Sequence, residues 1–220
     1  MTTPDIDDLT RDDPQDLMQW LDVNRRWLTI ATAIIVVGGG SWWVYNQSQM
    51  NKEINASKAL LLAQQSMAAG NPALAKSDLE KMVTRYSGTS PGAEAAMLLA
   101  QLNFDQGKFQ EGITVLEKAG GSAPQPMQVA IHGLIGDGYQ SMKNPTAAAK
   151  EYEKAADLTD REIERASQRA RAARAYTAAG DSAKARQLWT DLRDNIKNPS
   201  VASEARVRLG ELNAKAEKKG

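Results

Sequence analysis

Few side chains in this sequence have the types needed for chemistry, and their spacing works against it. His132 is the one histidine, and cysteine is absent. A serine–histidine relay or a polyhistidine metal site therefore has almost nothing to build on. Thiolate ligands, thiol nucleophiles and disulfides are excluded. His132 falls four residues before Gly136 on an amphipathic stretch, where a histidine packs or is solvated rather than catalyses. Asp105, Glu111 and Asp137 are carboxylates on different helical stretches, so their spacing defines no acid–base pair. Gly38-Gly39-Gly40 lies inside an apolar run and follows no strand, so it is not a phosphate-cradling loop. The series Arg161, Arg165, Arg169, Arg171 and Arg174 is interleaved with Glu162 and Glu164. It reads as a solvated helix face or, alternatively, as one wall of a site for acidic peptides. Together these residues predict a protein that is not an enzyme and uses no cofactor or metal. Its function would lie in a surface.

The elements that would build that surface begin with Trp27–Asn51, 25 residues without a charge. The stretch Trp27–Tyr45, at about 1.5 Å per residue, is long enough to cross a hydrocarbon core of roughly 30 Å. Arg25 and Arg26 precede it, and Trp27, Trp42, Trp43 and Tyr45 mark its two ends at the depth amphipathic rings prefer. A cleaved signal peptide would need a basic leader and a small-residue cleavage site; this leader is acidic, and Gly38–Ser41 runs directly into Trp42-Trp43. A buried core helix would need a partner for Ile30, Ile34, Ile35, Val36 and Val37, which the downstream repeats have no room to supply. The reading that remains is a single-pass anchor. Arg25 and Arg26 outweigh the more distant Lys52 and Lys58, which places the N-terminus in the cytoplasm and the larger part outside. In a bacterium that means the inner membrane and the periplasm. The three glycines permit close helix approach, so a homo-oligomer is compatible, although no clean small-xxx-small pair accompanies them.

Charge is balanced over the 220 residues but not evenly spread. Residues 1–26 hold seven aspartates (Asp5, Asp7, Asp8, Asp12, Asp13, Asp16 and Asp22) and three arginines, a net charge of −4 that leaves +4 on the rest. That bias is too slight to propose nucleic acid as a partner. The tail reads as disordered up to Asp13-Pro14, an N-cap followed by proline at the first helical position. Leu17, Trp20, Leu21 and Trp27 then recur at helical spacing, predicting a juxtamembrane helix with its apolar face on the membrane interface.

Past the apolar run the chain repeats itself. The turns Ala69-Gly70-Asn71-Pro72, Gln106-Gly107-Lys108-Phe109, Met142-Lys143-Asn144-Pro145 and Ala179-Gly180-Asp181-Ser182 follow one another at offsets of 37, 36 and 37 residues. Before each turn sits a small residue, Ala63, Ala100, Gly136 or Ala173. After it come a second small residue, Ala75, Gly112, Ala148 or Ala185, and a bulky apolar one, Leu79, Leu116, Tyr152 or Trp189. Tyr139 and Tyr176 share a slot on the third and fourth first helices. This pattern resembles the tetratricopeptide repeat, whose unit of about 34 residues is shorter by two or three. The resemblance implies an all-α, right-handed solenoid of about four hairpins. The surplus residues would lie in the loops Tyr86–Pro91, Gly120–Pro126, Leu158–Glu162 and Asn198–Ser200. Val201–Lys218 matches only a first helix, as a terminal cap with Lys215, Glu217, Lys218 and Lys219 solubilising the end. No glycine or proline falls between Gly40 and Gly70, which predicts a nearly continuous helix from about Trp27 to Ala69. That continuity would tie the anchor to the first repeat. Three regions result: an acidic tail over 1–26, an anchor over 27–51 and a repeat domain over 52–220.

In such a solenoid the first helices line the concave face. The repeat register assigns Gln64, Met67, Met97, Gln101, Phe104, Asp137, Gln140, Arg174 and Thr177 to that face, and the groove is one that receives an extended or helical peptide. Met67, Met97 and Phe104 alternatively pack inward on the first helix and the loops.

The layout of acidic tail, tryptophan-rimmed anchor and helical hairpins, with GGGSWWVYNQSQ and ASKALLLAQQSMAAGN, resembles the ancillary SecYEG translocon subunit (YfgM-type) family. That resemblance implies a membrane-anchored scaffold beside the translocon, with translocon subunits, periplasmic chaperones or secreted clients as partners. The stretch RYSGTSPGAEAAMLLAQLNFDQGKF also resembles repeats of envelope and outer-membrane assembly scaffolds; those proteins usually carry a cleavable signal or a lipidated cysteine, and the absence of cysteine here argues against lipidation. From another class, a purely structural oligomer that binds no client is the remaining alternative.

Overall fold

The computed structural model describes residues 14–195 and 199–217. The acidic tail through Asp13, Asn198 of the last loop, and Lys218 and Lys219 lie outside the described residues. The side chains of Leu17, Trp20 and Leu21 are likewise not described. The described residues form nine helices and no strand: α1 (Pro14–Ala68), α2 (Pro72–Arg85), α3 (Ser90–Asp105), α4 (Phe109–Gly120), α5 (Gln125–Ser141), α6 (Pro145–Asp157), α7 (Glu162–Ala179), α8 (Ser182–Asn195) and α9 (Pro199–Glu217). The chain divides into two units, through Asn51 and from Lys52 onward.

In the first unit α1 starts at Pro14, as the proline predicts, and continues through the three glycines without a break. The charge-free stretch is exposed: Ile34, Ile35, Val36, Val37, Trp42 and Trp43 all face solvent. This is the described helix that is long and apolar enough to cross a membrane.

In the second unit each turn closes the same way. The amide two or three residues past a helix end reaches back five residues, from Asn71 to Ser66, Lys108 to Asn103, Asn144 to Tyr139 and Asp181 to Tyr176, at 2.8–3.0 Å. This closure requires a left-handed residue just before it. Gly70, Gly107 and Gly180 supply it with φ of 73°, 75° and 80°, and Lys143 takes φ 57° in the same slot. After three of the turns the next helix is capped by a side chain: Asn71 accepts from the Leu74 amide, Asn144 from Ala147 and Asp181 from Lys184, whereas Lys108 gives α4 no such bond. Pro72 and Pro145 occupy the first helical position, where no amide is needed.

All twelve small and bulky repeat positions are buried. Most of them join three core clusters in series: Leu60, Ala63, Leu79, Met82, Ala95 and Leu99; then Ala100, Ile113, Leu116, Ile131 and Ile135; then Tyr152, Ala172, Tyr176 and Trp189 with Leu209 and Leu212 of α9. Each cluster joins one hairpin to the next, and the last also takes in the capping helix. Each expected loop ends earlier than the sequence implies, because α3 already begins at Ser90, α5 at Gln125, α7 at Glu162 and α9 at Pro199. Thr89 caps α3 through the Gly92 amide, and Pro124 ends the next loop.

Candidate functional site

The first helices, the C-terminal part of α1 with α3, α5, α7 and α9, form a layer bridged by polar side chains. Gln64 donates to Glu94 at 3.2 Å, from α1 to α3. Arg171 of α7 pairs with Asp137 of α5. Arg174 forks onto Glu204 of α9 at 2.8 and 2.6 Å. The fork holds the Glu204 carboxyl below the usual range against the opposing effect of burial. Of the register-assigned residues, Gln64, Gln101, Gln140 and Arg174 are exposed, while Asp137 and Thr177 are half-buried. Gln101 bonds to Asp105 one turn on, at 2.8 Å, and Thr177 bonds back to the Ala173 carbonyl at 2.8 Å.

Three other members divide their surface between this layer and the core. Met97 and Phe104 pack on the cluster around Ile113, and Met67 on the one around Leu79. Phe104 lies 6.0 Å from Phe109, ring centre to ring centre, and against the bare backbones of Gly112 and Gly138. The core contacts of Met97 and Phe104 are with α4 and α5, not with the long first helix.

Asp137 is the centre of a cross-hairpin cluster. The Tyr152 hydroxyl of α6 donates to it at 2.7 Å and lies 3.0 Å from Gln140 Oε1. Arg171 stacks 4.2 Å above the Tyr152 ring and binds Gln168 at 3.2 Å. Burial, then the Asp137 hydrogen bond and charge, push the Tyr152 phenol well above its ordinary value, so it is neutral at physiological pH. Both bonds, from the arginine and from the phenol, fall on Asp137 Oδ1.

His132 Nδ1 stands 2.7 Å from Glu151, which also takes Lys154 at 2.7 Å. Burial raises the Glu151 carboxyl, and the bonds from His132 and Lys154 outweigh it and bring it below its ordinary value. No hydroxyl nucleophile bonds to His132 among the described residues, and no three His, Cys, Asp or Glu gather as a metal site among them. The arginine series is mostly satisfied within the chain. Arg161 pairs with Glu164, Arg165 binds the Thr159 carbonyl and Asp160, and Arg171 and Arg174 are paired as above. The solvated-face reading fits this pairing better than an acidic-peptide wall. Sequence reasoning missed the inter-hairpin partners Glu94 and Glu204. Both lie 30 residues beyond the residue they meet, Gln64 and Arg174, and that recurrence was available as a signal.

Stacked helical hairpins with a polar layer of first helices define an α-helical repeat protein, a class that generally binds other proteins. In structure the chain is similar to the TPR-like repeats of a candidate kinesin light chain from Podosopora anserina, with a TM-score of 0.54 at 18% identity over 74% of this chain and 89% of that one. A singly substituted form of the same repeats gives 0.50 at 17% identity, over 74% and 92%. These likenesses concern the fold. No curated protein matches the sequence. The family profile described as tetratricopeptide repeat-like domain matches residues 18–134 and 57–170, and the chain belongs to that family.

Proposed function

We propose that this protein is a single-pass, membrane-anchored interaction scaffold, with its N-terminus in the cytoplasm and its repeats in the periplasm. It works beside the protein-translocation machinery and hands emerging chains to chaperones. The observation that carries the anchor is the charge-free stretch of α1, whose isoleucines, valines and tryptophans are all exposed; water makes such a helix costly, and lipid makes it stable. Arg25 and Arg26 set the orientation. The binding face is the first-helix layer, where Gln64, Gln101, Gln140 and Arg174 offer donors and acceptors beside the partly exposed Met67, Met97 and Phe104. A surface mixing amides with flexible thioethers suits varied extended segments better than one fixed ligand.

A photo-crosslinking residue at Gln101 or Gln140 of the full chain in native membranes tests this reading. Adducts with translocon subunits, periplasmic chaperones or nascent secreted chains are expected. Their absence from both positions overturns the proposed role. Extraction of the intact protein by alkaline carbonate overturns the anchor.

A further inference from the structure

Among the described residues, nothing docks on the face of the first hairpin that corresponds to the later joints. Eight residues before the four turn residues Gly70, Gly107, Lys143 and Gly180 stand Leu62, Leu99, Ile135 and Ala172. The last three are 3%, 2% and 0% exposed. Each is received by the second helix of the preceding hairpin: Leu99 by Leu79 and Met82 of α2, Ile135 by Ile113 and Leu116 of α4, Ala172 by Ala148 and Tyr152 of α6. Leu62 is 62% exposed. The position before it repeats the pattern. Leu98 and Leu134 pack on the same clusters and Arg171 stacks on Tyr152, whereas Leu61 is 56% exposed. Three residues beyond Leu62, Gln65 is exposed where Leu102 packs, where Gly138 admits Ile113, and where Ala175 is buried. A terminal repeat normally turns a polar face to water. This one keeps two leucines at the two positions that dock hairpins elsewhere in the chain.

We infer that this face of α1 binds an amphipathic helix of a different protein, which takes the place of a preceding second helix. The three internal joints define what fits: a helix apolar at i, i+3 or i+4 and i+7. Lys58 adds a charge requirement. It sits on this face, where Ala95 and Ile131 are buried in later hairpins, is exposed, and has no partner among the described residues. The docked helix therefore carries an acidic residue beside its apolar stripe. A second copy of this chain does not meet the requirement end to end. Its last second helix, α8, is already covered by α9 through Ala205, Leu209 and Leu212 on Trp189 and Leu192. This inference rests on the repeat register alone and is independent of the first-helix groove.

The test places a photo-crosslinking residue at Gln65 of the full chain in native membranes, with the crosslinked peptide sequenced by mass spectrometry. The expected product is a heteromeric adduct mapping to an amphipathic helix with an acidic flank. Leu62→Glu and, separately, Lys58→Glu should lower its yield by about tenfold, as expected for a central interface residue. Both sites are exposed, so the helical circular dichroism and melting midpoint should be unchanged. An adduct of twice the protein's mass would assign the face to a second copy and overturn the inference. So would the absence of any adduct, or a heteromeric adduct insensitive to both substitutions. A crosslink from Gln101 that survives Leu62→Glu would show that the groove acts separately.

Discussion

The Tyr152 hydroxyl donates to Asp137 at 2.7 Å, tying the second helix of the third hairpin to its first, while Arg171 of the next hairpin caps the same ring. One phenol thus holds three helices. Tyr152→Phe keeps the ring and its stacking but leaves a half-buried carboxylate short of a donor. A loss of about 1–3 kcal/mol is expected, read as a lower urea midpoint at unchanged slope. An unchanged midpoint would show that water replaces the hydroxyl without cost.

Alkali should unfold the repeat domain more steeply than its lysines and arginines alone predict. Burial, then Asp137 for Tyr152 and Glu153 for Tyr176, push both phenols up. The folded state therefore holds these two protons more tightly than the unfolded chain does. The stability they contribute is complete below the unfolded tyrosine value of about 10 and is lost as pH rises from there toward the folded values. The double variant Tyr152→Phe, Tyr176→Phe should flatten the fall in melting temperature above that pH. An equally steep fall would exclude these phenols as its source.

Lys143 sits at φ 57° where the other three turns use glycine. Its Cβ costs about 1–2 kcal/mol in that conformation. Lys143→Gly should stabilise the domain by about 1 kcal/mol and raise the melting point by roughly 2–4 °C. A lower melting point would mean that the lysine side chain supplies more than its backbone loses.

Gly136 and Gly210 should respond oppositely to alanine. A Cβ at Gly136 would meet Tyr152 Cδ1 at 2.7 Å and Cζ at 2.8 Å, against a ring fixed on both sides. Overpacking outweighs the gain in helix propensity of about 1 kcal/mol, and Gly136→Ala is expected to cost about 1–3 kcal/mol. Nothing lies within 4 Å of a Cβ at Gly210, so Gly210→Ala should gain up to about 1 kcal/mol. Matching signs in the two melts would refute the packing assignment.

The sequence by itself determined the repeat. Small residues at fixed distances from each turn, and the bulky residues that follow, mark where helices touch, and these positions are buried in all four hairpins. Even the unusual turn was legible, because Lys143 aligned with three glycines and adopts their backbone conformation. Local spacing suffices there because a hairpin's contacts are close in sequence. Tertiary structure alone decided which surface residues meet across hairpins. Asp137 looked free for the groove and is held by Tyr152 and Arg171; Arg174 looked free and is held by Glu204. It also revealed that Leu61 and Leu62 are exposed, with no preceding helix to cover them among the described residues. Periodicity states which side of a helix is apolar. Whether another helix is there to cover that side depends on how the hairpins stack, and stacking is set by contacts between residues roughly a repeat apart.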